Sequence, residues 1–214
     1  MRTHTQESQD KLTPDHALEI LKEGNERFVN NIKAHRNLLQ QVNETSSGQF
    51  PFAAILSCID SRTSAELIFD QGLGDIFSIR IAGNILNADI LGSMEFACSY
   101  AGSKLIVVLG HTKCGAIGAA CDTFNDPDVI AEPGHIAGLL RKINPAIELE
   151  TKSRPIHHGD TANFMKKVTT NNVALTVQSI PIQSPLLAEM EREGKIKIIG
   201  GLHNIDTGKV TFYE

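Results

Sequence analysis

The sequence predicts an α/β fold: a mainly parallel central sheet of four to five strands flanked by helices, with an N-terminal helical arm and an antiparallel C-terminal edge strand. Three observations carry this expectation. Short apolar runs alternate with helix-like segments through the centre of the chain, the pattern of strands joined by crossover helices. The strongest run, Lys104–Leu109 (KLIVVL), has the length and β-branched content of a strand covered on both faces. Near the end, Asp206-Thr207-Gly208 separates two β-rich runs, as a hairpin turn does.

The elements follow in order. Thr13-Pro14-Asp15 opens a helix with a cap, a proline at the first helical position and an acid near the positive end. Leu18, Leu21 and Phe28 then recur at helical spacing to about Asn31, which makes about 13–34 the arm. Segment 35–50 is polar and reads as a loop or weak helix. Phe52–Ser57 (FAAILS) is a buried strand, Ser64–Phe69 a helix, Ile76–Ile81 a strand and Ile90–Tyr100 a helix. A helix follows Cys114, and others cover Ile136–Ile143, Thr161–Ile180 and Ser184–Glu193. Segment 151–172 is strongly polar, a surface loop with a helix start. Lys195–Gly200 and Lys209–Tyr213 close the sheet. No linker divides the chain, so residues 1–214 are expected to form one domain.

Composition narrows the function. The net charge of −5 and the lack of a Lys/Arg cluster argue against nucleic acid as a partner. No run approaches the roughly 20 apolar residues of a membrane span, and the N-terminal MRTHTQESQDKLTPDH lacks the apolar core of a secretory signal. A cytoplasmic location is the default expectation. In that reducing setting the four cysteines are expected as thiols or metal ligands.

Two motifs stand where apolar strands end: Cys58-Ile59-Asp60-Ser61-Arg62 after FAAILS, and His111-Thr112-Lys113-Cys114-Gly115 after KLIVVLG. Ligands of open α/β sheets gather beyond the carboxyl ends of the strands, so neighbouring strands would bring Cys58, His111 and Cys114 together. Two cysteines and a histidine form a zinc set with one position open to water. Two thiolates offset the charge of Zn²⁺, leaving a weak Lewis acid that still brings the pKa of bound water far below that of bulk water. Asp60 either accepts a hydrogen bond from that water or ligates the metal itself, and Arg62 can hold the carboxylate with two parallel bonds. The plainer readings are that Cys98 and Cys121 are small buried hydrophobes and that the other seven histidines lie mostly on the surface. His157-His158 are adjacent and do not share a helix face.

Together these motifs resemble the β-class carbonic anhydrases. The surroundings agree: Gln49, Gly74-Asp75-Ile76-Phe77-Ser78-Ile79-Arg80, Ala82-Gly83-Asn84, and the tail Gly200–Gly208, so the likeness covers about 13 to 213. The resemblance implies one zinc on Cys58, His111 and Cys114, an Asp60–Arg62 dyad, and a pocket for carbon dioxide and bicarbonate lined by Gln49, Phe77, Ala82 and Gly115. It implies hydration of carbon dioxide by zinc-bound hydroxide, and a homodimer or tetramer with the N-terminal helix embracing the partner. Arg80 matches a bicarbonate-binding arginine of allosterically inhibited members. The Trp of those members is Ile55 here and their Tyr is His203, which puts the same regulatory site in doubt. Rival readings are a carbon disulfide or carbonyl sulfide hydrolase on the same fold, a non-catalytic zinc-binding homologue, and a thiol redox protein, the last weakened by the absence of Cys-x-x-Cys.

Overall fold

A computed structural model of the chain describes residues 3–125, 134–153 and 161–213. Five strands form one sheet: β1 (Ala53–Ser57), β2 (Ile76–Arg80), β3 (Leu105–His111), β4 (Lys197–His203) and β5 (Val210–Tyr213). Their order is β2-β1-β3-β4-β5, with β1 to β4 parallel and β5 antiparallel to β4. The α/β architecture and the closing hairpin are as the sequence predicts. β1 and β3 lie at the centre, and every residue in them is buried, which is why they read as unbroken apolar runs.

Short helices α1 (Gln6–Asp10) and α3 (Leu38–Glu44) flank the arm helix α2 (Pro14–Val29). Thr13 caps α2, its hydroxyl accepting from the His16 amide, with Pro14 in the first turn. Ala17, Leu18 and Leu21 of α2 pack on Ile55, Leu105 and Val107 of the sheet, together with Ala65 and Ile68 of α4 (Ala65–Ile68). Complete burial of a leucine such as Leu21 contributes about 1.5–3 kcal/mol. The opposite face is covered by α5 (Ala88–Glu95), α9 (Thr161–Gln183) and α10 (Pro185–Arg192) over Leu56, Ile106 and Val108. A third apolar cluster lies beyond the strand ends. There α6 (Gly115–Asn125), α7 (Ile136–Leu140) and α8 (Asn144–Ser153) gather around Ile117, Ile143, Ile147, Cys58 and Cys114.

Several expectations change. Segment 35–50 contains the true helix α3, because the Asn37 side chain accepts from the Gln40 amide and starts it. The helix expected over 90–100 ends as α-helix at Glu95 and continues as a π-helical turn over Phe96–Tyr100. Helix α8 was not expected from the sequence, and α9 runs past Pro181 to Gln183. Strand β4 extends three residues beyond Gly200 to His203. The pair His157-His158 and the centre of the polar segment lie outside the described residues.

Candidate metal centre

β1 and β3 are adjacent and parallel, Ser57 opposite Leu109, so their carboxyl ends open on the same side. Cys58 is the first residue past β1, His111 is the last of β3, and Cys114 immediately precedes α6. Their ligand atoms lie within 4.8 Å of one another, and all three residues are buried. The two sulfurs are 3.9 Å apart. Two zinc–sulfur bonds of about 2.3 Å at a tetrahedral angle span nearly that distance. His111 Nδ1 lies 3.0 Å from the Thr112 carbonyl, which accepts its proton and leaves Nε2 as a bare lone pair. That Nε2 is buried without a hydrogen-bond partner. An unpaired buried nitrogen beside two thiols is what a cation completes, so the residues fit a metal.

The thiols are prepared for it. A hydrogen bond from Cys114 lowers the pKa of the Cys58 thiol to about 4, against burial and with help from His111 and the Gly83 amide. Cys114 moves upward, because of Cys58 and then burial. A bound cation would take both sulfurs as thiolates and release any proton they carry. The Gly83 amide donates to Cys58 Sγ at 3.4 Å from a backbone with φ +69°. A Cβ at that position would meet Ile143 Cδ1 at 2.9 Å. Cys98 and Cys121 are buried, and burial raises their thiol pKa values to about 12 and about 11, as expected of packing residues.

Asp60 faces Arg62. Its Oδ1 accepts from the Arg62 amide and from Nε, each at 2.9 Å, and its Oδ2 accepts from Nη2 at 2.7 Å. These bonds hold the carboxyl well below the usual carboxylate range, outweighing partial burial. Oδ2 also stands 4.0 Å from His111 Nε2. Arg62 Nη2 reaches the Lys113 carbonyl at 3.4 Å and so ties the first motif to the second. The second motif is anchored in turn to the β4–β5 turn. The Thr112 amide donates to the His203 carbonyl at 2.9 Å, and the Ile205 amide donates to Thr112 Oγ1 at 3.1 Å.

Among the described residues the remaining histidines lie at the surface or are part-buried, as expected, with His203 the exception. It lies in register opposite His111 and is buried, and neither ring nitrogen has a partner. Burial and then His111 lower its pKa to about 4, with Asp60 opposing. The signal for its burial was missed because the strand was expected to end at Gly200, three residues short of it.

Of the remaining candidates, Gly115 opens α6 directly after Cys114, and Ala82 begins the tight turn that delivers Gly83 to Cys58. Gln49 and Phe77 are elsewhere. They line a hollow of about 470 Å³ with Phe96 and Tyr100. Phe77 is in register with Ala54, four strand positions before Cys58, or about 13 Å along the strand.

Residues 53–210 match the family model described as carbonic anhydrase. The chain belongs to the carbonic anhydrase family. It is 35% identical over 204 residues to carbonic anhydrase 2 of Mycobacterium tuberculosis, with 94% of this chain and 93% of the relative covered. The β-carbonic anhydrase CcaA superposes with a TM-score of 0.73 at 24% identity, covering 92% of this chain and 87% of that one. A tetrameric β-carbonic anhydrase from Sordaria macrospora gives 0.69 at 19% identity, covering 79% and 84%. The fold is therefore that of the β-carbonic anhydrases, a zinc-dependent family. Among the described residues, no helix is long and apolar enough to cross a membrane.

Proposed function

We propose that this carbonic anhydrase hydrates carbon dioxide reversibly at a zinc ion held by Cys58, His111 and Cys114. The observation that carries this reading is the buried, unpartnered His111 Nε2 facing two sulfurs 3.9 Å apart. When bound, zinc would supply Lewis acidity that brings the pKa of water far below its bulk value. Asp60 accepts a hydrogen bond from the attacking water and directs its lone pair toward the carbon. Arg62 keeps Asp60 ionised and turned away from direct ligation, since both carboxylate oxygens already accept from it. Ala82 and the backbone of Gly115 border the space for the small substrate.

Gln49 and Phe77 act on substrate across an interface between two copies. The length of β1 separates them from Cys58 in one chain, so a homodimer would bring them to a neighbouring site. Chain mass in solution tests the dimer. Hybrids of Gln49→Ala and Cys58→Ala chains test the sharing, because each hybrid restores one intact site. Stopped-flow hydration of carbon dioxide, with and without chelation, tests the activity. Hydration that survives complete removal of zinc would overturn the assignment.

A further inference from the structure

We propose that Arg80 is a positioning residue that fixes the main chain carrying Cys58 and Asp60. β1 ends at Ser57, whose carbonyl accepts the Ile81 amide at 3.1 Å. Beyond it the chain leaves the sheet, and its carbonyls lose their ladder partners. Arg80, the last residue of β2 and in register with Ser57, supplies replacements. Its Nε donates to the Cys58 carbonyl at 3.0 Å and its Nη2 to the Asp60 carbonyl at 2.6 Å. One guanidinium thus spans two carbonyls of the same turn from two nitrogens held in a fixed planar fork, a geometry that the single nitrogen of a lysine does not reproduce. Thr63 Oγ1 donates to the same carbonyls, at 3.3 and 2.9 Å. Asp60 is therefore fixed twice, its side chain by Arg62 and its backbone by Arg80. With two of its donors committed to carbonyls, Arg80 is a brace here.

The inference rests on the reading of Cys58, His111 and Cys114 as zinc ligands, and the test separates the two. Full-length Arg80→Lys and Arg80→Gln variants are loaded with zinc and challenged with a competing chelator. Their cobalt(II) forms are compared by visible ligand-field absorption. Residues that orient metal ligands from behind shift affinity or activity on the order of 10- to 100-fold. The expected result is that both variants lose zinc that much more readily than the parent. The cobalt bands shift, and kcat falls more than KM rises. Unchanged chelator resistance and unchanged cobalt bands in Arg80→Lys would overturn the brace. So would inhibition of the parent by bicarbonate that Arg80→Lys relieves, because that assigns the guanidinium to an anion. If the parent itself holds no stoichiometric zinc, the ligand assignment fails first, and the inference falls with it.

Discussion

Asp60 and Arg62 are two positions apart, and three hydrogen bonds between them hold one carboxylate at the mouth of the metal centre. Because the folded-state pKa of Asp60 is depressed, the pair contributes stability that is complete above the ordinary carboxylate pKa. That contribution is lost only as pH falls through the lower folded value. Between pH 5 and 9 the carboxylate therefore does not titrate. Any rise of activity toward alkaline pH belongs to the weakly acidic metal centre with its two thiolates. Such a rise is expected from pH 6 to 9, and a flat rate profile would count against it. Asp60→Asn should keep its zinc while kcat drops on the order of 10- to 100-fold; metal analysis alongside kinetics separates the two effects. Cys58→Ala should lose both together, and stoichiometric zinc in that variant would exclude Cys58 as a ligand. The grouping of these residues was legible in the sequence because each motif is short and directly follows an apolar run. His203 was not legible, since its burial depends on where β4 stops.

That stopping point is set by packing between elements. A Cβ at Gly110 or Gly200 would come 2.6 or 2.7 Å from Val173 of α9, so the glycines make room for the helix to lie on β3 and β4. In sequence a Gly-Gly pair looks like the end of a strand; in the fold it lets the strand pass beneath a helix and go on to His203. Gly200→Ala should force α9 outward and cost about 1–3 kcal/mol, read as a lower thermal midpoint. Gly83→Ala should do more local damage, combining a strained positive φ with a contact on Ile143. The expected result is weakened zinc retention in a chain that still folds, measured by chelator competition. Helix α8 escaped prediction for a related reason. Its apolar residues Ala146 and Ile147 are few, and they find burial only in the cluster that also surrounds Cys58 and Cys114.

The strand order places the centre where the connections reverse. From β1 the chain moves to β2 on one side, then returns to β3 on the other, and the crevice opens between β1 and β3. Alternation of strands and helices was enough to anticipate a parallel sheet. The sequence already placed Gln49 before the strand and Cys58 after it, and the parallel register sets Phe77 beside Ala54 at that same far end. On the proposed shared site two copies of the chain would unite both ends, so dilution below the dimer dissociation constant should depress activity without releasing zinc. Activity that stays constant per chain through dissociation would refute the shared site.

The ligands also have a consequence for the life of the protein. Cys58 and His111 come from distant parts of the chain, and a metal held between them as proposed would work as a clasp across a loop of about fifty residues. Closing a loop of that length restricts the unfolded chain by about 4 kcal/mol on the entropy model used for covalent cross-links. A thousandfold excess of free metal over its dissociation constant stabilises a fold by a similar amount. The thermal midpoint should therefore rise with buffered zinc, and a midpoint indifferent to it would rule out the clasp. Starved of zinc, the chain would not persist as an intact but idle enzyme. It would open more often and be degraded sooner, so its abundance would follow the metal supply.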